Sequence, residues 1–155
     1  MKTLRVSNFA FNFNSRRYSK VILLDGGEDA KLQAFLATVK ADLEKIKDER
    51  ERAKRLAVLV AERLGGNEMA DLVAASEADV ARIGTKVVRI GDLQVGVCRH
   101  RALLYKYCAD RVPGGPSCRL VRGDYASSYG GGGHAWNVVI LYGVEWLCDV
   151  MHEPG

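Results

Sequence analysis

The sequence carries a cysteine, a histidine and an aspartate in the order of a thiol-nucleophile site. They are Cys98 in Gly96-Val97-Cys98-Arg99-His100-Arg101-Ala102, His134 in His134-Ala135-Trp136-Asn137, and Asp149 in Trp146-Leu147-Cys148-Asp149. In such a site a thiolate attacks, an imidazole moves the proton, and a carboxylate orients the imidazole. A lone cysteine is more often a buried, inert side chain, so the weight lies on the three together. Cys98 falls at the start of a predicted helix, where unpaired backbone N–H groups and the positive end of the helix dipole favour a thiolate. Arg99, His100 and Arg101 are read as further positive charge beside it.

The elements around these residues must bring them together. The helix that Cys98 opens stops before Pro113-Gly114-Gly115-Pro116, and its apolar residues run nearly all round, the pattern of a central helix. Cys118–Val121, Ala135–Leu141 and Val144–Val150 read as strands. Tyr142-Gly143 fits a two-residue hairpin turn, so that facing residue numbers on the last two strands sum to about 285. Asp149 then faces Trp136, one diagonal step from His134 on the same face of the ribbon. A slip of one residue would turn Asp149 to the other face. Asn137, on the opposite face in this register, is the weaker candidate for the third member.

The first half reads as helical. Apolar spacing predicts one helix from about Asp29 to Ile46, a second from about Asp48 to Leu64 that stops at Gly65-Gly66, and a third near Met69–Ile83. Ser76-x-x-Asp79 is read as a cap within the third. Val87–Gly91 reads as a short strand leading to the thiol. Residues 9–24, with Phe9, Phe11 and Phe13 alternating, predict an extended hairpin that ends at Asp25-Gly26-Gly27. Ala126–Gly133 holds four consecutive glycines directly before His134; it reads as a mobile loop, either a lid or a slack connection. The 155 residues fit one domain: about 1–27 extended, 28–85 helical, and 86–155 holding Cys98, His134 and Asp149.

Composition bounds the function class. No apolar run is long enough for a membrane span, and no signal-peptide pattern opens the chain. Four cysteines in that setting read as free thiols, which predicts a cytoplasmic protein, with a cytoskeletal or ciliary setting included. The net charge is +4, but Lys86–Arg122 alone contributes +6, from Lys86, Arg89, Arg99, Arg101, Lys106, Arg111, Arg119 and Arg122 against Asp92 and Asp110. A basic surround favours an anionic partner, and a solvated basic face with no partner is the alternative. No nucleic-acid motif is present. Zinc is not expected: Cys98, His100, Cys108, Cys118, His134, Cys148 and His152 include no C-x-x-C pair and no familiar ligand spacing. Arg122-Gly123-Asp124 is a chance tripeptide.

The pattern resembles transglutaminase-like domains of the papain-like superfamily. More narrowly, Gly96–Leu104, Cys118–Tyr125 and Asp149–Gly155 resemble the domain found in Raf-like plant kinases of the ethylene-response and disease-resistance type, and at the C-terminus of an armadillo-repeat protein. The resemblance implies an α+β fold of papain-like or transglutaminase-like type, with a helical N-terminal half, an antiparallel sheet and the nucleophile opening a central helix. It implies Cys98 as nucleophile, His134 as base and Asp149 as orienter, with no cofactor. Papain-like members use an upstream glutamine for the oxyanion; Gln94, only four residues before Cys98, is the candidate for that place, and the Cys98 backbone N–H is the preferred donor. Arg99, Arg101, Arg119, Arg122 and Trp136 are the candidate substrate contacts; Arg119 and Arg122 read either as a pair that grips a carboxylate or, the preferred reading, as strand residues facing water.

Two functions follow as expectations. One is acyl transfer by Cys98 on a protein or peptide substrate, an acidic one by charge, as peptidase, amidase or transglutaminase. The alternative is an inactive regulatory module that binds a protein segment in the same cleft. Either fits a domain of a larger protein.

Overall fold

Among the described residues, three of the four α-helices begin on an aspartate. In this computed structural model, which describes residues 21–68, 70–125 and 132–152, the Asp29, Asp48 and Asp71 carboxylates each accept the backbone N–H three residues on. These caps satisfy donors that a helix end leaves unpaired. They start α1 (Ala30–Leu43), α2 (Glu49–Arg63) and α3 (Leu72–Ile83). The Ser76 cap is not made: Ser76 lies inside α3 and is buried, and Asp71 caps instead.

The remaining elements are β1 (Val21–Leu23), β2 (Val87–Arg89), a 3-10 turn at Ile90–Asp92, α4 (Cys98–Arg111), β3 (Ser117–Tyr125), β4 (Gly132–Leu141) and β5 (Val144–Cys148). Val21–Leu23 pairs in parallel with β2. The other arm of the predicted hairpin, and residues 126–131 of the glycine-rich stretch, lie outside the described residues.

The architecture is α+β. An antiparallel sheet of order β3-β4-β5 packs against α4, and α4 also packs on α2. The core is mainly aliphatic: Leu56 and Val60 of α2 with Leu64 at its end, and Leu104, Tyr105 and Cys108 from α4, meet Val139, Leu141 and Val150. Burial of such side chains is the main favourable term in folding. The turn between β4 and β5 falls at Tyr142-Gly143, with φ of 52° and 77°, as the primed hairpin turns require. The strands pair Leu141 with Val144 and Asn137 with Cys148, the expected register.

Candidate active site

The segment that delivers Cys98 to the start of α4 is tied down at nearly every residue. Gly91 N–H donates to Asp29 at 2.9 Å, and its carbonyl accepts from Arg63 at 2.7 Å. Arg63 also holds the Leu93 carbonyl at 2.7 Å. The N–H groups of Gln94 and Val95 donate to Asp79 Oδ2. Gly96 N–H donates to the Leu64 carbonyl at 3.1 Å. A Cβ at Gly96 would lie 2.9 Å from His100 Cβ and 3.0 Å from Leu64 Cδ1, so the close approach requires the glycine two residues before the cysteine.

Asp79 is a residue that the sequence reading misassigns. Read as part of a cap, it reaches out of α3 to hold the loop before Cys98. Burial pushes its pKa up, but the Arg82 hydrogen bond and the Gln94 and Val95 N–H groups outweigh that and hold it below the usual value.

Arg101 also differs from its expected role. It is fully buried and so does not form a substrate contact at the surface. Its guanidinium donates to the carbonyls of Gly96 (2.7 Å), Leu64 (3.2 Å), Gly66 (2.5 Å) and Val150 (3.3 Å), and to the Asn67 side chain. Leu64 and Gly66 are the C-terminal end of α2, where a cation complements both the free carbonyls and the dipole. Burial lowers the Arg101 pKa, and the opposing pull comes from Cys98. The same two effects, in the same order, act on Arg99.

His100 adds no positive charge beside the thiol. Burial first, then Arg99, push its pKa down to about 3, so the ring is neutral. Its Nδ1 accepts the Val97 N–H at 3.2 Å. Unlike the other helices, α4 has no side chain accepting from its first-turn N–H groups at the N-cap.

On the sheet, His134 Nε2 lies 2.7 Å from Asp149 Oδ2, and both side chains are largely buried. The carboxylate is fixed by its other oxygen, which accepts the Met151 N–H at 3.0 Å. Trp136 stacks on His134, with ring centroids 5.7 Å apart at 23°. The Trp136 ring lies over Gly123, where a Cβ would come within 2.7 Å of Cη2. His152, which no sequence spacing singled out as part of this group, brings its ring centroid to 5.3 Å from that of His134.

The other expected residues fall as follows. Asn137 is buried and donates to the Ala102 carbonyl at 3.1 Å, one turn into α4 from Cys98. By strand alternation it faces away from His134, as the register predicts. The Gln94 side chain is exposed. Arg119 and Arg122 do not form a pair: they pair with Val138 and Ala135, three residues apart, and so take opposite faces of the sheet. Arg119 bonds Glu145 at 2.9 Å instead. Burial raises the pKa of Cys108 and Cys118 to about 12 and of Cys148 to about 11, so these thiols stay protonated at neutral pH.

Comparison with known proteins gives the family of the chain. Residues 7–155 match the family model described as EDR1/CTR1/ARMC3, peptidase-like. Among curated relatives, the human protein named armadillo repeat-containing protein 3 is 33% identical over 147 residues, covering 82% of this chain and 16% of that protein. The Arabidopsis thaliana protein named probable serine/threonine-protein kinase SIS8 is 33% identical over 112 residues, covering 68% of this chain and 10% of that one. Serine/threonine-protein kinase CTR1, also from Arabidopsis thaliana, is 29% identical over 153 residues, covering 85% and 18%. The chain thus spans less than a fifth of the length of these relatives. No solved structure matches it. The model match takes in Cys98, His134 and Asp149 alike, and the chain belongs to the EDR1/CTR1/ARMC3 peptidase-like family.

Proposed function

We propose that the domain performs acyl transfer through Cys98, with His134 as base and Asp149 as orienter, on a papain-like or transglutaminase-like scaffold. The observation that carries this reading is the 2.7 Å contact between His134 Nε2 and Asp149 Oδ2. A carboxylate accepts, so Nε2 holds the proton and Nδ1 is left as the basic nitrogen. A thiol proton passes to Nδ1, the thiolate attacks a peptide or glutamine-type carbonyl, and His134 returns the proton to the leaving amine. The resulting thioester is resolved by water or by an amine. The uncapped first turn of α4 offers N–H groups to the developing oxyanion. A protein segment is the substrate class, and Arg99 and Arg122, at the thiol and on the neighbouring strand, favour an acidic one.

The test is covalent labelling with a peptide bearing an electrophilic acyl group. Modification of Cys98 that falls at least about a hundredfold in His134→Ala supports the reading. Equal labelling with and without His134 removes the base and with it the mechanism.

A second reading has its own support. Two of the relatives are named as kinases, and the matched region is 10% and 18% of their length. A domain in that setting also serves as a regulatory module that holds a protein segment against the same residues without turnover.

A further inference from the structure

His134 and Asp149 have a third neighbour that the acyl-transfer mechanism does not use. One ligand atom from each of His134, Asp149 and His152 lies within 4.8 Å of the other two. We infer that these three side chains form a binding site for a divalent transition metal, with zinc as the ion. The ligand chemistry selects it. Two imidazoles and one carboxylate suit zinc, whereas calcium and magnesium take oxygen ligands almost alone. Zinc bound at about 2.0–2.2 Å needs its ligand atoms roughly 3.3 Å apart in a tetrahedron. His134 and Asp149 must therefore open slightly from 2.7 Å, and His152 must move inward. His152 is exposed and sits in the turn directly after Asp149, so its ring can move without disturbing the core. The other two ligands are held in place: Asp149 by the Met151 N–H, His134 by the stacked Trp136. A site with two anchored ligands that need open only slightly and one exposed closing ligand fills from solvent.

Zinc on His134 Nε2 takes the place of the proton that this nitrogen shares with Asp149; the neutral ring then carries its proton on Nδ1, which can no longer accept from the Cys98 thiol. Occupancy by metal and the acyl-transfer state are then mutually exclusive. Only that consequence rests on the function proposed above; the site itself does not need Cys98 to react.

The experiment is zinc titration of the whole chain by calorimetry, followed by spectroscopy of the cobalt(II) form. The expected result is one zinc per chain, with affinity falling at least about tenfold in His152→Ala. His134→Ala is the second variant, and Cys98→Ser should bind as the parent does. The cobalt form should show ligand-field bands without a thiolate charge-transfer band. Binding that survives both histidine substitutions, or that is lost in Cys98→Ser with a thiolate band in the parent, overturns the inference. Absence of binding in the parent also overturns it. Peptide labelling of Cys98 without metal reads the acyl-transfer proposal separately.

Discussion

Arg101 Nη1 donates to the Val150 carbonyl at 3.3 Å, which ties the first turn of the Cys98 helix to the residue after Asp149. One buried guanidinium thus joins three parts of the site: the end of α2, the loop before the cysteine, and the turn that holds the carboxylate. Replacement by alanine leaves several buried carbonyls without donors, at about 1–3 kcal/mol each in the worst case. Arg101→Ala should therefore lose more than about 3 kcal/mol of stability. Arg101→Lys, with the charge but not the planar fork, should recover only part of it. Urea unfolding followed by circular dichroism measures both. A loss under about 1 kcal/mol for the alanine variant would contradict the clamp.

His100 predicts an acid-sensitive fold. Its pKa is about 3 in the native state against 6.5 for an ordinary imidazole. The folded value is depressed, so the contribution is complete above pH 6.5 and is lost as pH falls towards 3. The span corresponds to a few kcal/mol. His100→Asn keeps an acceptor for the Val97 N–H but cannot titrate, so its stability between pH 6.5 and 4 should be flatter than that of the parent. Parallel slopes would show that His100 is not the group responsible.

The four thiols should separate in alkylation. Cys108, Cys118 and Cys148 have pKa values of about 12, 12 and 11, so at pH 8 no more than about a thousandth of each is thiolate. Cys98, Cys118 and Cys148 are all partly exposed and only Cys108 is buried, so for Cys118 and Cys148 the contrast with Cys98 is one of protonation and not of access. Iodoacetamide at pH 8 should modify one residue per native chain, Cys98, as mapped by peptide mass spectrometry. Comparable rates at all four would contradict the raised pKa values of the other three.

Asp79→Asn should loosen the loop that presents Cys98. The amide oxygen can still accept from the Gln94 and Val95 N–H groups, but the charge is lost and an NH2 donor replaces the oxygen that accepts from Arg82. A cost of about 1–3 kcal/mol is expected. Amide exchange at Gln94 and Val95 should speed up more than exchange in α2; an even increase across the chain would mean global destabilisation only.

Gly123→Ala places a methyl group 2.7 Å from Trp136 Cη2. The indole must shift, and with it the wall against His134. The expected outcome is a change in Trp136 emission, read in a Trp146→Phe background, with a stability loss of about 1–3 kcal/mol. Unchanged emission would mean that the sheet bends to accept the methyl group.

Sequence patterning carries the local part of this protein far. The helix of Cys98 is legible because its apolar residues run nearly all round and a proline–glycine cluster ends it. The β4–β5 register is legible because Tyr142-Gly143 permits a two-residue turn, and the turn then sets every facing pair. That register makes the 2.7 Å contact between His134 and Asp149 foreseeable from fifteen residues of chain.

What sequence leaves open is whatever depends on contacts between elements remote in the chain. Arg101 and Arg99 look alike as letters, yet one is buried among carbonyls of α2 and the Val150 turn, some of them 35 and 49 residues away. Asp79 fits a local capping pattern and instead serves a loop 15 residues on. Arg119 and Arg122 look like a pair until the strand turns them to opposite faces. His152 joins His134 only once the β5 turn folds back. Periodicity and turn chemistry act over a few residues, so the sequence by itself determined the helices and the β4–β5 register. Burial and hydrogen-bond partnership belong to the packed whole, so only the tertiary structure decided which charges face the thiol and which hold the frame together.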